Sequence, residues 1–193
     1  MHYLSRLILG ITLVLGCGLA AAQDRTYVNI PNIPGESTDA AHVGWIDAYG
    51  LSSDRANSIT ISSGGVGGSA SFTAEPTFIL KATDLSSPQL QLALAGGTVI
   101  TGDITIDVCR EPASGGQECY YTMVITDAAI TEIRLSGSSC VDPLTSCVPA
   151  QTESVGIIGV KLQQTYRSFV GGSVSQTRCT YWDVETNVGA TCQ

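Results

Sequence analysis

Apolar and polar side chains alternate with a period of two along much of this chain, the signature of strands that set one face against a core. The sharpest case is DITIDV, where Ile104, Ile106 and Val108 face one way and Asp103, Thr105 and Asp107 the other. The acidic set predicts a wet outer face. The pattern returns in YYTMVIT, with Tyr121, Met123 and Ile125 on one side, and in IIGVKLQQTY, with Ile158, Val160 and Leu162 on one side. SGGQ predicts a hairpin between the first two of these strands. Gly171-Gly172 predicts another within the closing stretch KLQQTYRSFVGGSVSQTRCTYWDVETNVG.

Upstream, RTYVNI, VGWIDAYG and SASFTAEPTFIL predict three more strands. Residues 61–71, ISSGGVGGSAS, are so rich in Gly and Ser that they predict a flexible loop. The period changes once, in DLSSPQLQLALAGG. Here Ser86 or Ser87 can cap a helix, Pro88 suits its first turn, Leu90, Ala93 and Leu94 form an apolar face, and Gly96-Gly97 end it. A helix this short does not hold itself together, so it must dock on or plug the β structure. The expected fold is mainly β, a barrel in preference to an open sandwich, with one short α-helix.

The first residues change the picture of where the chain works. In MHYLSRLILGITLVLGCGLAAAQ, Arg6 is followed by the apolar run Leu7 to Leu15 and by Ala20-Ala21-Ala22, a small-residue cleavage site. This predicts a Sec-type signal over residues 1–22, a single domain over 23–193, and delivery to the periplasm or the exterior. Cleavage ahead of Cys17, in Val14-Leu15-Gly16-Cys17, is the rival reading and would leave a lipidated N-terminus. No later run reaches about 18 apolar residues, so no membrane span is expected. Without Arg6, eight basic residues face 17 acidic ones, a formal charge of −9, which argues against nucleic acid and anionic membrane as partners.

Six cysteines follow the signal: Cys109, Cys119, Cys140, Cys147, Cys179 and Cys192. An even set in an exported chain reads as disulfides. Neighbouring cysteines flank turn-forming stretches, which favours Cys109 with Cys119, Cys140 with Cys147 and Cys179 with Cys192. No C-x-x-C occurs and His42 is the one histidine after the signal, so no metal is expected, and no motif calls for a cofactor.

Catalytic readings find little support. A Ser-His-Asp triad would have to use His42, and Gly67-Gly68-Ser69-Ala70-Ser71 and Gly171-Gly172-Ser173-Val174-Ser175 only approach a nucleophile elbow. Asp103 and Asp107 are separated by roughly 13 Å of strand, beyond the spacing of a glycosidase pair. Trp45 and Trp182 read as core residues. In IPNIPGESTDAAH, Pro31 and Pro34 remove backbone donors, Gly35 permits a turn, and Glu36, Ser37 and Asp39 can satisfy the loop's own amides. His42 then enters the next strand as a partly buried hydrogen-bonding residue. The chain is not expected to be an enzyme.

The order of these landmarks resembles the Hcp family, the haemolysin-coregulated proteins of type VI secretion. YVNI, PNIPGES with Gly35, Glu36 and Ser37, then His42, WIDAYG and a glycine-rich stretch are similar to the family's opening. FTAEPTFILKATDLSSPQL, with Phe72, Thr73, Asp84, Ser87, Pro88 and Leu90, is similar to its helix segment. ESVGIIGVKLQQTY keeps Glu153, Val155 and Tyr166, and TYWDVETN, with Trp182, Asp183 and Asn187, resembles its close. The resemblance spans residues 26–187. It implies a β-barrel with one helix that assembles as a homo-hexameric ring with a central lumen. Such rings can stack into the tube of the secretion machine and carry effector cargo. A signal and six cysteines depart from the family's pattern, so the expectation is an exported ring-forming structural protein. The alternative is a monomeric, disulfide-stapled binding module of the periplasm or cell surface.

Overall fold

The computed structural model of the chain describes residues 24–58, 61–62, 65–66, 71–112, 115–137 and 151–192. The expected signal and the Cys140–Cys147 pair lie outside them.

Strand β1 (Arg25–Asn29) runs between β2 (Ile46–Ser58) and β7 (Ile104–Arg110), with Tyr27 opposite Asp47 on one side and opposite Asp107 on the other. From there the order is β9–β5–β2–β1–β7–β8, built from β5 (Ser71–Ala82), β8 (Glu118–Gly137) and β9 (Gln151–Val170). Because β8 also pairs with β9, the six antiparallel strands close into a barrel. Closure gives each of these strands a neighbour on both sides. The short β6 (Val99–Ile100) adds to β8, and the hairpin of β10 (Ser173–Asp183) and β11 (Val188–Thr191) extends from β9. Between β2 and β5, β3 (Ile61–Ser62) and β4 (Gly65–Val66) pair with each other. The expected flexible loop therefore contains a small antiparallel ladder, which its Ile61 and Val66 suit and its glycines hid.

Inside the barrel lie Val28, Ile46, Ile79, Ile104, Ile106, Met123, Ile125, Ile130, Val155 and Ile157, all nearly inaccessible. Tyr121 and Leu162 pack against this core from its margin. Helix α1 (Ser87–Gly96) follows β5 and contributes buried Leu90, with Ala93 and Leu94 packed beside it. Gly97 ends it in a left-handed conformation, φ 56°, its N–H returning to helix carbonyls. Ser86 is the N-cap residue, but its hydroxyl binds Asp84 instead of the helix amides.

One phase of the alternation differs from expectation. Ile157 points inward and Ile158 is 37% exposed, while Leu162 returns to the core. The inward residues of β8 shift likewise, from Met123 and Ile125 to Ala128 and Ile130, around Asp127 with φ 51°. Gly159 lies opposite Ala128, and a Cβ there would stand 2.3 Å from Ile125 Cγ2. The two strands thus change face together, where left-handed Asp127 directly precedes the residue that faces Gly159.

Two glycines, Gly171 and Gly172, form the turn between β9 and β10 with φ of 59° and 79°, as the pattern predicts. The disulfides Cys109–Cys119 and Cys179–Cys192 are both formed, the first across the β7–β8 hairpin and the second across the β10–β11 hairpin.

Candidate functional site

Three polar centres stand out on this barrel. The first is built by the connection between β1 and β2. Pro31 and left-handed Asn32 (φ 62°) turn the chain back so that the Ile33 N–H reaches the Ile30 carbonyl at 3.0 Å, and both isoleucines are buried. Gly35 and Ser37 then pair with Gly44 and Trp45 through three backbone hydrogen bonds of 2.8–2.9 Å. Only glycine allows so close a pairing, since a Cβ on Gly35 would lie 2.3 Å from the Trp45 carbonyl oxygen.

This loop presses His42 onto the outer face of the barrel. His42 is 3% exposed and stacks on Tyr27, the ring centroids 4.1 Å apart and the planes nearly parallel, while Trp45 meets it edge-on. Its Nδ1 lies 2.8 Å from Asp39 Oδ1 and its Nε2 3.2 Å from Asp107 Oδ2. Each ring nitrogen thus has a carboxylate oxygen within hydrogen-bonding distance. Gln117 and Tyr27 donate to Asp39 Oδ2, and Thr122 donates to Asp107 Oδ1. Burial pushes the Asp39 carboxyl up, but the hydrogen bonds from His42, from the Ala41 N–H and from Gln117, with the His42 charge, outweigh it and hold it below the usual carboxylate range.

Two expectations change here. His42 sits in the loop, four residues before β2, and not in the strand. The face of β7 expected to be wet is covered at Asp107, although Asp103 remains exposed and accepts from Thr126. Ser37 and Asp39 do bind loop amides, but Glu36 faces solvent.

The second centre closes one end of the barrel under α1. Lys81 of β5 is fully buried, and its Nζ donates to Glu153 Oε2 at 3.0 Å, to Ser87 Oγ at 3.1 Å and to the Ala82 carbonyl at 2.7 Å, with the Asp84 carboxylate ion-paired to it at 2.8 Å. Ser87 in turn donates to Glu153 at 2.8 Å. Asp84 and Ser87 from the helix start and Glu153 from β9 thus meet on one ammonium, and Pro88 lies in the first turn of the helix beside it. Lys81 is the member sequence reasoning missed. The one signal for it is a lysine at the inward phase of FILKA, two after Ile79.

The third centre is the opposite barrel mouth. Arg55 of β2 lies beside Gln164, with its guanidinium 4.0 Å from Met123 Sδ. Burial lowers the Arg55 pKa, partly offset by Tyr121, whose own phenol burial pushes up. With Leu162, Thr180, Tyr181, Trp182 and Thr191 it lines a cleft of about 440 Å³. Trp182 is half-buried and lies across Gly189, and Trp45 is half-buried on the loop, so neither is the core residue expected. Asp183 accepts from the Thr186 N–H at 2.9 Å and Asn187 is left-handed, φ 54°, so both shape the turn into β11.

A family model described as "Type VI secretion system effector, Hcp" matches residues 27–166. The chain belongs to the Hcp family. The match begins within β1 and ends within β9, so it reaches into all six barrel strands and takes in the helix and the first two polar centres. The "Major exported protein" of Pseudomonas aeruginosa strain PAO1 is 41% identical over 69 residues, 36% of this chain and 40% of that relative. Among solved structures, a type six secretion system protein aligns with a TM-score of 0.74 at 21% identity, covering 86% of this chain and 99% of its own. Hcp1 from Salmonella typhimurium aligns at 0.65 and 20% identity, covering 88% of this chain and all of its own. These likenesses establish an Hcp-like barrel with one helix.

Proposed function

We propose that this protein is an exported structural protein of a type VI secretion system, a subunit that assembles as a homo-hexameric ring able to stack and to hold effector cargo. The observation that carries this reading is the family match over residues 27–166, across the whole barrel. Export fits the name of the Pseudomonas relative, the signal expected over residues 1–22 and a barrel domain over 23–193 that carries disulfides. A surface suited to a second copy supports the ring. Leu92 and Val99 are 73% and 58% exposed beside a groove of about 500 Å³ between α1 and the Pro31–Ile33 turn. We assign Gly35, Glu36, Ser37, His42, Asp84, Ser87, Pro88, Trp182, Asp183 and Asn187 to the architecture of the barrel and none to a reaction.

Native mass spectrometry of the secreted protein tests the assembly. A discrete ring that dissociates on Leu92→Glu is the expected result, and a clean monomer at high concentration overturns it. N-terminal sequencing of the same material tests the export route: Gln23 is expected, and an acylated Cys17 replaces the signal reading with a lipoprotein. The Arg55 cleft favours a second reading, a monomeric disulfide-stapled binding module of the periplasm or cell surface. A monomer that binds small carboxylates in an Arg55-dependent way would establish it.

A further inference from the structure

The disulfide between Cys109 and Cys119 lies directly against the His42 centre. Cys119 Sγ is 4.0 Å from His42 Nε2, and the ligand atoms of His42, Cys109 and Cys119 all fall within 4.8 Å of one another. Among the described residues this is the group of three whose donor atoms are close enough to share an ion. Asp107 adds an oxygen 3.2 Å from the same Nε2.

We propose that Cys109, Cys119, His42 and Asp107 form a redox-gated site for a zinc-class divalent cation, closed as a disulfide and open once reduced. A dithiol or phosphine reductant delivers two electrons, and with two protons the S–S bond becomes two thiols. The cation then binds both as thiolates and Nε2 as a bare ring nitrogen, so those two protons leave together with any proton Nε2 shares with Asp107. Two sulfurs, one imidazole nitrogen and one carboxylate oxygen make four ligands, each of a donor type that zinc takes. Tetrahedral donors at zinc stand roughly 3–4 Å apart, a spacing that follows from bond lengths of about 2.0–2.3 Å. Reduction of the S–S bond frees the two sulfurs to rotate apart toward that spacing.

Three features hold the donors in place after reduction. The ladder of β7 and β8 continues on both sides of the cysteines, at Val108–Tyr121 and Arg110–Glu118, so the strands do not part. Asp39 binds His42 Nδ1 at 2.8 Å, which directs Nε2 toward the sulfurs and supplies the second carboxylate that metal-binding histidines commonly use. Tyr27 stacked on the ring fixes its plane. Asp107 is held by Thr122 through Oδ1, which leaves Oδ2 for the ion. The sulfurs come from opposite strands of a hairpin and the nitrogen from a distant loop, so no ligand spacing is visible in the sequence.

Cobalt(II) is the probe. A variant with Cys140, Cys147, Cys179 and Cys192 all changed to Ser keeps only the pair in question after the signal. Reduced with a phosphine, it should take up one cobalt, with a thiolate charge-transfer band and tetrahedral ligand-field bands that zinc abolishes. The oxidised form should show neither, and His42→Ala should weaken binding at least tenfold. The wild-type protein gives a second readout that needs no variant. After reduction, zinc should shield Cys109 and Cys119 from iodoacetamide while Cys179 and Cys192 react. Equal alkylation of all four with and without zinc, absence of the cobalt band, or a band unchanged by His42→Ala overturns the site.

Discussion

Lys81 on β5 and Glu153 on β9 stand directly opposite each other, Nζ to Oε2 3.0 Å, inside a barrel whose neighbouring inward residues are Ile79 and Val155. The ammonium is surrounded by acceptors from the strand, the helix start and β9. Removing it leaves Glu153 and Asp84 buried beside each other with no counter-charge, and that uncompensated charge dominates the cost. Lys81→Met should lower unfolding free energy by about 3–5 kcal/mol. Chemical denaturation reads this directly. Adding Glu153→Leu and Asp84→Asn to the same chain should recover part of the loss, because an apolar plug no longer strands a charge.

The His42 centre predicts a second, smaller loss. His42→Ala deprives Asp39 and Asp107 of a donor and Tyr27 of its stacking partner, and should cost about 1–3 kcal/mol. Thermal unfolding and the assembly state should both shift. Loss of a catalytic activity with fold and assembly intact would contradict the architectural role assigned to His42.

Asp39 sets an acid limb on stability. Its folded pKa is depressed, so it binds a proton more weakly in the native state than in the unfolded chain. Its contribution is present above the ordinary aspartate value, about 3.9, and disappears as pH falls through the lower folded value. In Asp39→Asn the acid decline in that window should be shallower than in the wild type, as followed by urea midpoints across a pH series. An unchanged slope would mean that the hydrogen bonds from His42 and Gln117 do not persist in solution.

Gly35→Ala tests the close pairing that seats the loop. A methyl group would meet the Trp45 carbonyl oxygen and the Ile46 backbone at 2.3–2.6 Å, and neither can yield without parting the loop from β2. A cost of about 1–3 kcal/mol is expected. Faster hydrogen exchange at the amides of Gly35, Ser37 and Gly44 should accompany it.

At the C-terminal hairpin, the Cys179–Cys192 crosslink joins residues 13 apart in sequence. Replacing both with Ser should remove about 3 kcal/mol, as expected for a loop of that size. Non-reducing peptide mapping should recover this link and Cys109–Cys119, and should join Cys140 to Cys147. A bridge from Cys109 to Cys179 would refute the sequential pairing.

Much of the barrel was legible in local pattern. Alternation placed Ile104, Ile106, Met123 and Ile125 inward, the glycine pair made its turn, and Pro88 and Gly97 bracketed the helix. Neighbouring cysteines named both bridges of the described residues. What escaped depends on contacts far apart in sequence. An acidic residue in alternation reads as wet, and only the folded loop shows Asp107 covered by His42. Lys81 shares the inward phase of Ile79, but its partner Glu153 arrives from a distant strand, so the buried pair is invisible in local pattern. The exchange of faces around Asp127 and Gly159 defeats a strict period of two, because one left-handed residue reverses the count. Trp45 and Trp182 looked central by hydrophobicity alone, yet each has a flat flank set on a turn or a glycine.

The barrel's closure has a mechanical side. β1 is bonded along its length to β2 and β7, so tension drawn along it from Arg25 loads a whole row of hydrogen bonds at once. The far terminus responds differently. Tension drawn from beyond β11 meets the Cys179–Cys192 crosslink ahead of the first β10–β11 pair, Thr180–Thr191, so it passes covalently to β10 and leaves the bonds of β11 unloaded. One end carries its load in shear and the other through a covalent shunt.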